Sequence, residues 1–271
     1  MSHPIGKIYP GPTTTISAEA AADYAAATSD PSPDYAGPDA ICPPMLHVRL
    51  LLPVMEAVAG DPELALDPLR LVHGEHDATF HRPLRVGDRV ETRAELASVT
   101  EKRSGLVVVS RLLASCAGVL AVEATTTFFI RAPRPPGPRP PRTRPPAPTP
   151  PPPDRVADWR VDDDQSHRYA TASGDLNPIH TDPAAATAAG LPSIILHGLC
   201  TMALAGNAVT AAVGAQPRHL RRLGVRFAGL VTNGMPLQAR IWDSGPSEHR
   251  FVVSGPDGKP VITNGIASFA G

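Results

Sequence analysis

The chain has 271 residues, of which 42% are hydrophobic and 19% are charged, a balance typical of a globular protein. Its formal net charge of −1 provides no general attraction to nucleic acid or to an acidic membrane surface, so neither is an expected partner. There is no apolar run near the roughly 20 residues of a membrane helix, no secretory signal in Met1–Pro12, and no disulfide framework among Cys42, Cys116 and Cys200. We therefore expect a cytoplasmic protein.

The first part of the chain predicts helices followed by strands. Ala18–Ala27 favours a short helix and Leu46–Ala59 a longer, apolar one. Strand-like runs with turn signals between them follow at Asp88–Thr100, Gly105–Ala117 and Val119–Ile130. His73, His76 and His81 could indicate a metal site, but they lie in a strand-like run whose alternate residues face opposite sides, so we expect no metal there.

A proline-rich run divides the chain. From Pro133 to Pro153, 13 of 21 residues are proline, which excludes a helix or a sheet ladder and favours an extended polyproline II segment. We interpret residues 133–155 as a linker that acts as a spacer. A docking site for a proline-binding partner is the alternative.

The two parts that flank this linker are related in sequence. Tyr24-Ala-Ala-Ala-Thr-Ser-Asp30 aligns on Tyr169-Ala-Thr-Ala-Ser-Gly-Asp175 at an offset of 145 residues. Phe80–Gly87 aligns on Phe227–Gly234 at an offset of 147 residues. So long a period predicts a duplicated domain rather than a solenoid repeat.

The second part repeats the element order of the first. Asp163–Ala172 and Gly198–Val213 favour helices, and the second of these is apolar nearly all round. One long helix with several antiparallel strands predicts an α+β layer in each part, with the sheet wrapped on the helix. The predicted strands are Leu220–Ala228, Pro236–Asp243, Phe251–Ser254 and Val261–Ala270.

The segment Tyr169–Ala186 carries the residues suited to chemistry. Gly174 permits a tight turn, and Pro178 biases Asn177 away from helix, so Asp175, Asn177 and His180 should lie on an irregular bend. Asp182 and Pro183 form an N-cap and first-turn pair for a short helix that Gly190 ends, which holds the bend on one side.

An imidazole and a carboxylate on one bend suit acid/base chemistry. His180 titrates near neutrality and can move a proton, and Asp175 can orient the same water molecule. Gly198 should lie in the first turn of the apolar helix, where backbone N–H groups have no helical partner and can bind a developing oxyanion.

The run Ser173–Ala185, followed by Gly198 within Leu196-His-Gly-Leu199, resembles the (R)-specific enoyl-CoA hydratase (hydratase 2, MaoC-like dehydratase) family. The resemblance implies two tandem hot-dog domains that form a pseudo-dimer through their sheets. It implies reversible hydration of trans-2-enoyl-CoA to (3R)-hydroxyacyl-CoA, with Asp175 and His180 as the acid/base pair, Asn177 assisting and Gly198 as oxyanion donor. It implies neither cofactor nor metal.

The first copy departs from the motif, because Ser32 and Tyr35 stand where the second copy has Asn177 and His180. We therefore expect residues 1–132 to be a degenerate hot-dog domain that helps to bind the acyl group, and residues 156–271 to be the catalytic domain. The substrate would be an acyl-CoA or acyl carrier protein thioester, and a homodimer is expected.

Four further residues are candidate substrate contacts: Tyr169, His197, Arg221 and Arg222. His197 could instead be packed at the helix start. The two arginines belong to a basic patch that suits coenzyme A phosphates, although a solvated strand edge explains the patch equally well. Two alternatives for function are hydration of a branched dicarboxyl thioester such as mesaconyl-CoA, and non-catalytic acyl-thioester binding as a scaffold.

Overall fold

The computed structural model describes residues 3–68, 70–133 and 150–271. Most of the proline-rich linker predicted as a spacer, residues 134–149, lies outside the described residues. The helices are α1 (Ala18–Ala27), α2 (His47–Ala59), α3 (Gln165–Ser173), α4 (Pro183–Ala188) and α5 (Gly198–Ala212). The strands are β1 (Ile8–Thr15), β2 (Leu71–Phe80), β3 (Arg89–Lys102), β4 (Gly105–Cys116), β5 (Val119–Arg131), β6 (Arg155–Arg160), β7 (Leu220–Phe227), β8 (Pro236–Gly245), β9 (Glu248–Ser254) and β10 (Pro260–Phe269).

All ten strands form one antiparallel sheet with the order β1-β3-β4-β5-β2-β7-β10-β9-β8-β6. The order is the same from either end once each strand of the first half is matched with its counterpart in the second. The two halves meet where β2 pairs with β7, and Asp77 lies opposite Gly224, which is its own counterpart at the offset of 147. The chain is therefore a pseudo-dimer with an approximate twofold axis between these two strands, and the predicted double hot-dog fold is confirmed.

The two long helices supply the cores of the two halves. Helix α2 packs on β1, β3 and β4, and α5 packs on β6, β7, β8 and β10. Helix α5 is buried over most of its surface, as its apolar character predicted. Gly206 lies so close to Leu223 that an added Cβ would meet the leucine side chain at 2.7 Å, so glycine permits the helix to approach the sheet.

The predicted element bounds agree with the structure to within a few residues, but β1 and β6 were not predicted. Strand β1 contains Pro10, Gly11 and Pro12, residues that usually indicate a turn. Its pairing with β3 is interrupted by a register shift between Pro10 and Thr13. Strand β6 begins at Arg155, the last residue of the predicted linker. Both strands lie at the edges of the sheet, where irregular backbone is tolerated. None of the helices in the described residues has the length and apolar character needed to cross a membrane.

Candidate active site

The bend that follows α3 is built from local hydrogen bonds. Gly174 ends the helix with a φ of 82°, in the left-handed region. The Asp175 carboxylate accepts a hydrogen bond from the Asn177 N–H at 3.2 Å, and the Asn177 side-chain oxygen accepts one from the Ile179 N–H at 3.3 Å. The second bond caps the 3₁₀ turn Pro178–His180. Each side chain of the motif therefore holds the next part of the turn, and the turn positions His180.

The His180 side chain is held as a neutral imidazole. His180 is only 8% exposed, and its Nδ1 lies 2.7 Å from the carbonyl oxygen of Ile195. Because a carbonyl can only accept, Nδ1 donates its proton there, and the lone pair on Nε2 is available to take a proton. Burial lowers the pKa of His180, and the Asp175 charge and the bond to Ile195 oppose this only in part.

His197 connects Asp175 and His180 to helix α5. Its Nε2 donates to the backbone carbonyl of Asp175 at 3.0 Å, and its ring stacks on that of His180 with the centroids 3.8 Å apart. Burial lowers the pKa of His197 to about 3, so the ring is neutral at physiological pH. In the described residues, its Nδ1 is buried without a hydrogen-bond partner. His197 also precedes the first residue of α5, so one side chain ties the bend to the helix start.

Gly198 begins α5, and its backbone N–H is one of the groups that a helix leaves without an internal partner. A Cβ added to Gly198 would lie 3.4 Å from the ring of Phe227, which covers this end of the helix. The N–H group, the positive end of the helix dipole and a neighbouring aromatic ring suit the binding of a thioester oxygen.

The donor atoms of Asp175, His180 and His197 lie within 4.8 Å of one another, and these residue types also occur in zinc sites. The ring arrangement suits acid/base chemistry better than chelation. The free nitrogens are Nε2 of His180 and Nδ1 of His197, and the two rings are inclined by only 26°. Lone pairs in two nearly parallel ring planes do not converge on an ion that needs bonds of about 2.0–2.1 Å.

The remaining predicted residues occupy different places. Tyr169 is buried behind His197, with ring centroids 4.9 Å apart, and its hydroxyl hydrogen-bonds that of Tyr24 at 3.1 Å. Arg222 lies on the solvent face of β7, where it forms a bidentate ion pair with Asp77 at 2.9 and 2.6 Å. Arg221 lies next to it, and within the described residues its Nη1 is buried without a partner. Asn177 is exposed, and its side-chain oxygen makes the capping hydrogen bond with the Ile179 N–H described above.

The corresponding position in the first half has lost the imidazole. Tyr35 stands where the second half has His180, and its hydroxyl donates to the carboxylate of Asp30. Burial raises the pKa of Asp30, although the bond from Tyr35 opposes this. Asp30, Tyr35, Leu220 and Leu223 line a cavity of about 20 Å³, which has room for little more than one water molecule.

Three features of the site were not predicted from sequence: the Ile195 carbonyl, the Phe227 ring and His73 of strand β2. The Phe227 ring lies 5.4 Å from that of His73, which belongs to the other half. The internal repeat pairs Phe80 with Phe227 and was the only sequence signal for this part of the site.

In comparison with known proteins, each half of the chain matches a family model. Residues 139–264 match the family model described as MaoC like domain, and residues 4–123 match the FAS1-like, dehydratase domain region. The 3-hydroxyacyl-thioester dehydratase Y of Mycobacterium tuberculosis is 35% identical over 218 residues, which cover 75% of this chain and 74% of that protein.

A probable enoyl-CoA hydratase 2 of Dictyostelium discoideum is 28% identical, and the match covers 79% of this chain and 74% of that protein. The crystal structure of a MaoC-like dehydratase from Phytophthora capsici has a TM-score of 0.84 over 98% of this chain and 95% of its own, at 21% identity. This last likeness shows a shared fold.

Proposed function

Since the chain belongs to the family of MaoC-like dehydratases and is a hydro-lyase, we propose that it hydrates trans-2-enoyl-CoA to (3R)-hydroxyacyl-CoA, and catalyses the reverse reaction, with Asp175 and His180 as its acid/base pair. The observation that carries the proposal is that the carboxylate of Asp175 and the neutral imidazole of His180 lie within 4.8 Å of each other and of His197. His197 directly precedes Gly198, whose N–H begins helix α5.

In the proposed reaction the thioester oxygen accepts a hydrogen bond from the Gly198 N–H. A water molecule lies between the Asp175 carboxylate and Nε2 of His180. As the water oxygen bonds to C3, His180 takes one of its protons, and the electrons of the double bond move to C2 and the thioester oxygen. The proton then returns to C2 from the imidazolium, which leaves His180 neutral and completes the addition of one water.

Asn177 and His197 have positioning roles in this scheme. Asn177 caps the turn that carries His180, and His197 holds the backbone of Asp175 while its ring supports that of His180. Both contacts restrict the acid/base pair to one arrangement, which is what proton transfer at a defined face of the double bond requires. Delivery of water and proton by the same pair would place both on one face.

We also propose that residues 156–271 form the catalytic domain and residues 1–132 a domain that contributes to acyl binding. Comparison of kcat/KM for coenzyme A and acyl carrier protein thioesters of the same acyl group would identify the carrier. Substrate contact through Arg221 and Arg222 stays a prediction, as does a homodimer of the whole chain, which light scattering would test. A dicarboxyl substrate such as mesaconyl-CoA would need an unpaired arginine beside the acyl group. Arg222 is paired with Asp77, whereas Nη1 of Arg221 has no partner within the described residues, so kinetic comparison of mesaconyl-CoA with crotonyl-CoA tests this alternative.

The test is hydration of crotonyl-CoA by the wild-type protein and by Asp175→Asn and His180→Ala. Each variant should lose at least about 10²-fold in kcat/KM while its circular dichroism spectrum is unchanged. Asp182→Asn serves as the matched control, because Asp182 lies in the same segment, asparagine can keep its cap of α4, and Asp182 does not belong to the acid/base pair. Chiral analysis of the product reports the configuration at C3. Near wild-type rates in Asp175→Asn or His180→Ala would reject the site.

A further inference from the structure

The end of helix α3 is a point where the second half meets the long helix of the first half. Arg49 of α2 is half-buried, and its Nη1 donates to the backbone carbonyl of Ala172 at 2.5 Å, across 123 positions of the chain. Three positions further along α2, Leu52 lies beside Gly174, since a Cβ added to this glycine would lie 3.6 Å from the leucine Cδ2. Residues three apart share a face of a helix, so one face of α2 contacts the last turn of α3 and the glycine that ends it.

The bond from Arg49 reaches a carbonyl that α3 cannot satisfy by itself. Ala172 belongs to the last four residues of α3, whose carbonyls lie beyond the regular helical pattern, and the last turn contains no basic residue. Ala172 is only 3% exposed, and no backbone N–H of the described residues bonds its carbonyl. The guanidinium is therefore its donor, and a positive charge is favourable at this end of the helix dipole.

The carbonyl of Ala172 lies three residues before Asp175. Between them, the hydroxyl oxygen of Ser173 accepts a hydrogen bond from the Asp175 N–H at 3.2 Å. On the other side, the Asp175 carbonyl accepts the bond from His197. The backbone of Asp175 is thus held between helix α5 and the end of α3, and Arg49 holds the end of α3 from the first half.

The end of α1, which corresponds to the end of α3, is held more firmly. Within the described residues, three of its carbonyls accept hydrogen bonds from side chains of the other half, whereas at the end of α3 Arg49 is the only such donor. The bonds at α1 run from Gln165 to Ala27, from Arg168 to Ala26 at 2.6 Å and from Asn207 to Thr28 at 3.0 Å. The loss of Arg49 would therefore leave the end of α3 without a hydrogen bond of this kind.

Arg49 is also a residue that the two halves do not share. Leu46-His47 and Leu196-His197 both stand at the start of the long helix, and this alignment pairs Arg49 with Leu199. Leu199 is 7% exposed and belongs to the apolar core. The arginine occurs only in the helix that contacts the segment leading to Asp175.

We propose that Arg49 is a positioning residue for the reaction, which holds the end of α3 and thereby fixes the Asp175 carboxylate relative to His180. The half that lacks the acid/base pair then contributes to turnover itself, in addition to acyl binding. This inference rests on the proposed function and adds a residue of the first half to its machinery.

The experiment measures kcat and KM for crotonyl-CoA hydration by the wild-type protein and by Arg49→Met, which keeps an unbranched side chain and removes the donor. The value of kcat should fall roughly tenfold, the worth of one net hydrogen bond, with KM nearly unchanged. Because Arg49 acts through Asp175, the same substitution in an Asp175→Asn protein should lower kcat by less than about twofold more. Arg49→Lys keeps a donor and should recover part of the loss, and Arg49→Gln, which is too short to reach the carbonyl, gives the same test if the methionine variant does not fold.

Arg85→Met is the matched control, because it removes another arginine that donates to a backbone carbonyl, that of Ala40 at 3.0 Å, within the first half. Its kcat should equal that of the wild type. A kcat of Arg49→Met within twofold of the wild type, or an equal loss with and without the Asp175 carboxylate, would overturn the inference. Failure of the proposed function is a different result, in which the wild-type protein hydrates no enoyl thioester.

Discussion

The role of Gly198 can be tested by a substitution that deletes its N–H without breaking the helix. Gly198 is the first residue of α5, the position at which proline is favoured because its missing N–H has no helical partner. The preceding residue, His197, has φ −56° and ψ 136°, a conformation that a following proline allows. Gly198→Pro should therefore fold, and it removes the proposed oxyanion donor.

The expected size of the effect follows from that single hydrogen bond. One oxyanion donor contributes about 2.7–4 kcal/mol to stabilisation of the developing charge, so kcat should fall roughly 10²–10³-fold. Gly198→Ala keeps the N–H and adds only a Cβ, which would contact the Phe227 ring at 3.4 Å, so its loss of kcat should be clearly smaller. Both variants should unfold at the same or higher denaturant concentration than the wild type, because each lowers the conformational entropy of the unfolded chain and so raises the free energy of unfolding by about 0.4–1 kcal/mol.

The assay compares kcat and KM for crotonyl-CoA hydration with urea unfolding of the same three proteins. A fall in kcat together with unchanged or increased stability separates a catalytic role from a structural one. Activity of Gly198→Pro within a few-fold of the wild type would refute the assignment of its N–H. Equal losses in the proline and alanine variants would instead attribute the effect to crowding against Phe227.

Two further predictions concern residues that contact Asp175 or His180, and a third concerns a buried histidine of helix α2 in the first half. Asn177→Ala removes the cap of the turn that carries His180, so kcat should fall about tenfold and the free energy of unfolding by about 1 kcal/mol. Asn177→Ser keeps an acceptor oxygen and should recover part of both losses. An unchanged kcat in the alanine variant would contradict the positioning role. His197→Phe keeps a ring beside His180 but leaves the Asp175 carbonyl unpaired, so urea unfolding should show a loss of about 1–3 kcal/mol and kinetics a lower kcat with KM nearly unchanged. Burial lowers the pKa of His47 to about 4, so as the pH falls below about 6.5 the unfolded chain binds a proton before the folded chain does. The contribution of His47 to the free energy of unfolding is therefore present above pH 6.5 and is lost towards pH 4. Between pH 7 and pH 5 the loss from this residue should be about 2 kcal/mol. Guanidinium unfolding at both pH values checks this, and His47→Gln should have a shallower pH dependence; an equal slope in the variant would assign the acid loss to other groups.

The sequence by itself determined the features that depend on neighbours along the chain. The bend of residues 174–182 is made by hydrogen bonds between residues two to four positions apart, from the Asp175–Asn177 bond to the Asp182 cap of α4. The bounds of α1, α2 and α5 likewise follow from local apolar patterns, and the repeat at offsets of 145 and 147 predicted the duplicated fold. These signals are legible because both partners of each interaction lie within one short stretch of sequence.

Only the tertiary structure decided which distant groups complete the site. The partner of His180 is a carbonyl at Ile195, and the residue that holds the Asp175 backbone is His197, 22 positions away. His73 reaches the same region from the other half of the chain, because β2 pairs with β7 at the axis. No local pattern encodes these contacts, since each depends on the register between strands and on the packing of a helix end, which the chain adopts only when the whole sheet forms.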